Sequence, residues 1–205
     1  MIELLSEIIP KSNCKNSNAK DIYIVDYKHI HNGIVDLHEQ IPEVNFVHLS
    51  NINSVEVYFN GFLESALEIE VGNYSSQCEC IIFSNPYSSN TWTLFIETKY
   101  VNSIENAFRE SNDYPYSMVN QIIDTVKYFR DKNLIGNETV NAIVSFPTLI
   151  EDFSASFFTG DLSIEDILLN QKIRIRAINS AQIISSKRIK LEKLWLPLTQ
   201  VLHYC

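Results

Sequence analysis

Glycine and proline are scarce in this 205-residue chain, at five and six residues. That scarcity argues against a low-complexity or disordered chain. Basic residues are also few, 16 against 25 acids, for a formal charge of −9. A surface of that sign does not attract nucleic acid as a whole, so handling phosphate requires a local basic patch. The four cysteines, Cys14, Cys78, Cys80 and Cys205, are too sparse for a secreted disulfide framework. Cys78 and Cys80 stand two apart in an apolar run and are expected on one strand face as reduced thiols. No second ligand pair accompanies them to make a zinc site. No apolar run has the length needed to span a bilayer. The first ten residues carry Glu3 and Glu7 without a basic leader, so no secretory signal is read there and a cytoplasmic location is expected.

What is present suits a buried core: 45% hydrophobic and 11% aromatic residues, expected to form one domain over residues 1–205. Residues 1–10 predict a short helix stopped by Pro10, residues 11–20 a polar loop, and residues 22–25 a strand. Residues 28–50 have weak periodicity. His29 and His31 in that stretch read as surface or edge-strand side chains. From Ser54, residues Val55, Tyr58, Phe59, Phe62, Leu63, Ala66 and Leu67 recur at helical spacing. They predict a helix capped by Ser54, with Glu64 and Glu68 one turn apart. Residues 77–83 and 91–101 read as strands joined by a turn-rich segment. A helix is predicted over 116–132, with Gly136 just beyond it, and a strand over 139–146, stopped by Pro147.

The final third is less patterned. Residues 163–169 predict a helix with Ser163 and Asp166 as a capping pair. Residues 172–178 alternate basic and apolar residues, so Lys172, Arg174 and Arg176 form either a solvated strand face or a phosphate-contact strip. Lys187, Arg188 and Lys190 add further positive charge. Trp92 and Trp195 read as core aromatics rather than base-stacking platforms.

The chemistry concentrates between the two central β runs. The first carries Glu79, and the second ends in Phe95-Ile96-Glu97-Thr98-Lys99. Glu97 and Lys99 leave a strand on the same face. A hairpin would bring Glu79 beside them, giving two carboxylates for a hard divalent cation and an ammonium next to it. Phosphodiester hydrolysis uses such a set. Glu64 from the preceding segment could join through water, and Gln121 on the following helix could orient the site. Each residue also has a plain alternative: Glu79, Glu97 and Lys99 as a charged strand surface, Glu64 and Gln121 as solvated helix residues. An acid-X-Lys triplet arises by chance about once or twice in a chain of this size. Asp26-Tyr27-Lys28 is a rival triplet, also following an apolar β run but without an upstream acid-bearing strand.

Together, Cys78–Phe83, Trp92–Lys99 and a following helix with Gln121 resemble the core of the PD-(D/E)XK nuclease superfamily. The resemblance spans approximately residues 54–146. It implies an α/β (α+β) fold: a mixed central sheet flanked by helices, with a restriction-endonuclease-like αβββαβ core and additions at both ends. It assigns Glu79 to the acid of the second strand, Glu97 and Lys99 to the E-X-K pair, Glu64 to the helix acid, and Gln121 to a glutamine of some subfamilies. It also implies Mg²⁺ or Mn²⁺ bound by Glu64, Glu79 and Glu97, and cleavage of DNA or RNA. The sequence departs from the family in having Glu79 where Asp is usual, without the Pro-Asp pair. The first core strand is either residues 67–71 or one the sequence does not display. Nucleic acid and a second copy of the chain in a homodimer are the expected partners, and a membrane is not. The competing expectations are a binding module on the same fold with a decayed site, and an acidic regulatory domain that occupies a basic protein surface.

Overall fold

The computed structural model describes residues 5, 7–31, 33–84, 92–107, 109, 114, 116–149, 169–177 and 180–183. In chain order the elements are β1 (Ser12–Ser17), β2 (Asp21–Asp26), α1 (Lys28–His31), β3 (Val35–His38), β4 (Val47–Asn51), β5 (Val57–Phe62), β6 (Glu68–Glu70) and β7 (Asn73–Tyr74). They continue with β8 (Cys80–Ser84), β9 (Thr93–Thr98), α2 (Ile104–Ala107), α3 (Tyr116–Asp131), β10 (Val140–Ser145), β11 (Ile173–Ala177) and β12 (Ser180–Ile183).

A six-stranded mixed sheet runs in the order β1-β5-β8-β9-β10-β11, and a four-stranded sheet in the order β12-β4-β2-β3. Strands β5, β8 and β9 are successive antiparallel neighbours. The chain then passes through α3 and returns as β10, parallel to β9. A parallel return needs a crossover of this kind, because a hairpin can join only antiparallel strands. The 16-residue α3 supplies it.

Side-chain alternation divides the large sheet's two faces. Phe62, Ile81, Phe83, Phe95, Ala142 and Val144 join Met118, Val119, Ile122, Val126 and Phe129 of α3 in one apolar cluster. Phe59, Cys80, Ile82, Leu94, Ile96 and Ile143 face the other way, onto Ile22, Ile24, Val35, Leu37, Val47 and Leu49 of the smaller sheet. The large sheet is thus a middle layer buried on both faces, between helix and second sheet. Gly61 marks a close approach between layers. A Cβ there would lie 2.5 Å from Val35 O and 2.8 Å from the Phe59 ring.

The double burial explains the largest correction. Residues 54–67 form no helix; they hold β5, the first strand of the antiparallel trio. A strand covered on both faces carries apolar side chains at nearly every position, so helical and strand spacings both fit it. Val57 and the aromatic side chains favour the strand, and Gly61 disfavours a helix. Ser54 is a positive-φ residue, at +48°, and not a helix cap. Residues 67–71 do not supply the core strand either: β6 pairs only with β7, in a separate hairpin. The polar segment 11–20 contains β1, an edge strand on β5, where exposed polar side chains cost little. His29 and His31 lie in α1, a helical turn, not on a strand edge.

Other expectations hold with shifted ends. Runs 77–83 and 91–101 are the antiparallel pair β8 and β9, the helix over 116–132 is α3, and the strand over 139–146 is β10. Strand β11 overlies the basic alternation, with Ile173 buried and Arg174 exposed, while Lys172 sits before the strand in a turn. The helix expected over 163–169, the side chain of Arg176, the residues Lys187, Arg188, Lys190, Trp195 and Cys205, and most of the 84–90 connection lie outside the described residues. No described helix is long and apolar enough to cross a membrane.

Candidate active site

The register of β8 and β9 pairs Cys80 with Ile96 and Ile81 with Phe95. One further step sets Glu79 opposite Glu97, and Glu79 N donates to Ile96 O at 3.0 Å to continue the ladder. Facing residues in an antiparallel pair stand within direct side-chain reach. On the other side of β9, Lys99 N donates to Ser145 O at 2.9 Å, which fixes the backbone beneath the third member. Glu79, Glu97 and Lys99 therefore converge at one end of the strand pair.

Two carboxylates in such a place repel each other unless cations intervene. Lys99 Nζ forms an ion pair with Glu97 Oε1 and lies 3.6 Å from Glu79 Oε1. Lys28 Nζ, from α1 beside the smaller sheet, reaches Glu79 Oε2 at 2.7 Å. Glu97 is fully buried, at 0% exposure, and its Oε2 receives no hydrogen bond from any described group. Burial foremost, then the charge of Glu79, pushes the Glu97 carboxyl up to about 8, against the pull of Lys99 and Lys28. Burial alone would lower the Lys99 ammonium, but Glu97 and Glu79 outweigh it and raise the group. Lys28 is raised in the same way, by Glu79 first and then by Asp26 and Glu64.

The raised carboxyl has a consequence for stability. A group whose native proton affinity exceeds its unfolded one contributes stability at low pH and loses it as pH rises through the native value. For Glu97 that window runs from the ordinary 4.5 up to about 8. Each pH unit in which the native state alone holds the proton is worth about 1.4 kcal/mol. In chelator, the melting temperature of the full chain is expected to fall between pH 5 and pH 8.5, and the fall should shrink in Glu97→Gln. Melting curves across that range check it; an equal decline in the variant would assign the effect to other groups.

The segment that delivers Glu79 is held from α3. Gln121 Nε2 donates to Gln77 O at 2.9 Å. Thr125 Oγ1 accepts from Cys78 N at 2.8 Å and donates to Gln121 O at 2.7 Å. Gln121 thus grips the backbone two residues ahead of Glu79 and acts on the site through that backbone. Glu64 is not a helix residue; it stands exposed in the turn after β5, near enough to hold the charge on Lys28. Neither Glu79 nor Glu97 is the solvated strand acid that composition alone would allow, as both are buried. Cys78 and Cys80 are free and fully buried, but not on one face as their spacing predicts: Cys78, which precedes β8, joins the cluster with α3, and Cys80 joins the one with the smaller sheet. Burial raises both thiols, which leaves them protonated and unreactive. Trp92 packs partly buried against the core between the sheets, as a core aromatic.

Two further residues belong to the site, Lys28 and Thr125. Lys28 belongs to the rival Asp26-Tyr27-Lys28 triplet, which the fold brings to the same site. Asp26 N donates to the hydroxyl of Tyr100, next to Lys99, at 3.3 Å. Thr125 was legible only as the residue one helical turn beyond Gln121 on the same face.

Among the described residues, no three His, Cys, Asp or Glu side chains form a metal-ligand group. Two facing carboxylates, one with a buried oxygen lacking a donor, nonetheless suit Mg²⁺. That ion keeps several waters and takes one or two protein carboxylates alongside substrate phosphate. In comparisons with known proteins, no family model, curated protein or solved structure matches the chain.

Proposed function

We propose that the protein is a metal-dependent nuclease with a PD-(D/E)XK-like, restriction-endonuclease-like core. The observation that carries this reading is the convergence of Glu79, Glu97 and Lys99 on a β-β-β-α-β succession formed by β5, β8, β9, α3 and β10. With the β6-β7 hairpin and the short α2 read as insertions, that succession is compatible with the αβββαβ order of the family from its first strand onward. Glu79 immediately precedes β8, Glu97 lies in β9 and Lys99 stands one residue past its end, an arrangement that supports this reading.

Glu79 and Glu97 would hold the Mg²⁺ or Mn²⁺, and Glu64, exposed in the turn after β5, would reach it only through water. When bound, the ion would polarise the scissile phosphate and lower the pKa of a water ligand. Lys99 holds its proton firmly, so its task is electrostatic: it orients the attacking water and offsets charge growing on the phosphate. Gln121 and Thr125 are positioning residues that fix the backbone before Glu79. The net charge of −9 is then met locally, since Lys28 and Lys99 make the mouth of the site cationic once a metal neutralises the carboxylates.

Metal-dependent melting tests the site before any substrate is known. Binding to the native state alone raises stability by about 2.7 kcal/mol at a hundredfold excess over Kd. Saturating MnCl₂ should raise the melting temperature of the wild-type chain, and Glu97→Gln should remove the rise. A wild-type chain that does not respond would favour a nuclease-fold binding module with a decayed site.

A further inference from the structure

Both oxygens of Glu79 face an ammonium: Lys28 at 2.7 Å from Oε2 and Lys99 at 3.6 Å from Oε1. The two come from different elements, Lys28 from α1 and Lys99 from the end of β9, and from different acid-X-Lys triplets. When both carboxylates are ionised, the two ammonium groups bring the cluster to zero net charge without a bound ion. A divalent cation bound at Glu79 would share that carboxylate with Lys28, whose ammonium already sits against Oε2. The side chain of Lys28 is 19% exposed and long, so it has a path toward solvent. Its backbone does not need to follow. Lys28 N donates to Asp26 Oδ1 at 2.9 Å, and Asp26 N is tied to the Tyr100 hydroxyl.

We propose that Lys28 is a tethered counter-cation that occupies Glu79 when the site holds no metal and competes with the divalent ion for that carboxylate. This rests on the metal-site reading above. Displaced from Glu79, the ammonium stays at the site. A divalent ion with Lys28, Lys99 and the two glutamates then totals +2, the charge that complements a phosphodiester attacked by hydroxide.

The test is calorimetric titration of the full chain with MnCl₂ alone, at fixed pH, with melting in chelator to verify folding. Lys28→Met should bind Mn²⁺ about tenfold more tightly than wild type, because one positive charge no longer competes at close range. Lys28→Arg should stay near the wild-type affinity. If Lys28→Met does not fold in chelator, Lys28→Gln carries the same expectation. Equal or weaker Mn²⁺ binding in the charge-removing variant overturns the competition and leaves the metal site standing. Absence of Mn²⁺ binding in wild type and variant alike overturns both.

Discussion

Glu97→Gln and Lys99→Ala should each lower phosphodiester cleavage by at least about 10²–10³-fold, the scale for losing one preorganised charge-stabilising group. The two variants should part company in the absence of substrate. Glu97→Gln keeps the shape of the buried side chain but removes the charge that would hold a cation, so it should lose the metal-dependent rise in melting temperature. Lys99→Ala removes an ammonium, which is no metal ligand, and should keep that rise. It should also melt earlier in chelator at pH above about 8, where Glu97 is ionised and losing its partner strands a buried charge at a cost of about 3–5 kcal/mol, less whatever Glu97 recovers by taking up a proton. The measurement is cleavage of labelled single- and double-stranded DNA and RNA with Mg²⁺ or Mn²⁺, alongside melting curves. Cleavage that persists in both variants would move the active site elsewhere. An intact wild-type chain that binds metal but cuts nothing would favour the binding-module reading.

The parts of the site legible in the sequence were those written locally. Glu97 and Lys99 sit two apart on one strand, so period-two geometry places them together without knowledge of the fold. Glu79 required one further step, the pairing of β8 with β9, and a short turn-rich connection between two apolar runs suggested it. Lys28 required contact between α1 and the segment entering β8, 51 residues apart in sequence, and no local pattern encodes that. The misread strand β5 has a related cause. Periodicity reports a boundary between buried and exposed faces, and a strand covered by α3 on one side and a second sheet on the other has no such boundary. Strand β1 failed in the opposite sense: as a polar edge strand it takes its order from backbone pairing with β5, which leaves little trace in side-chain hydropathy. Helix α3 has a clear apolar face toward the sheet, and its sequence reading was correct to within a residue.

Phe95→Ala should be the most damaging single change in the core beneath the site. Phe95 has 0% exposure and meets the ring of Phe129 edge-on, with centroids 5.6 Å apart. It belongs to the layer between β9 and α3. Truncating a buried phenylalanine removes its transfer free energy and leaves a cavity that close-packed neighbours refill only in part, at a cost of about 3–5 kcal/mol. For a chain of this size each kcal/mol moves the melting temperature by about 2–4 °C, so a loss on the order of 10 °C is expected. The effect should reach the site as well. Glu97 follows Phe95 on the same face of β9, and α3 supplies both Phe129 for the packing and Gln121 and Thr125 for the grip on residues 77 and 78. A helix that settles into the cavity would carry that grip with it and shift Glu79 relative to Glu97. The variant is therefore expected to show a smaller metal-dependent rise in melting temperature as well as a lower baseline. Phe95→Leu, which fills most of the volume, should recover most of both. A Phe95→Ala chain with an unchanged metal response would show that the carboxylates are held by strand pairing alone.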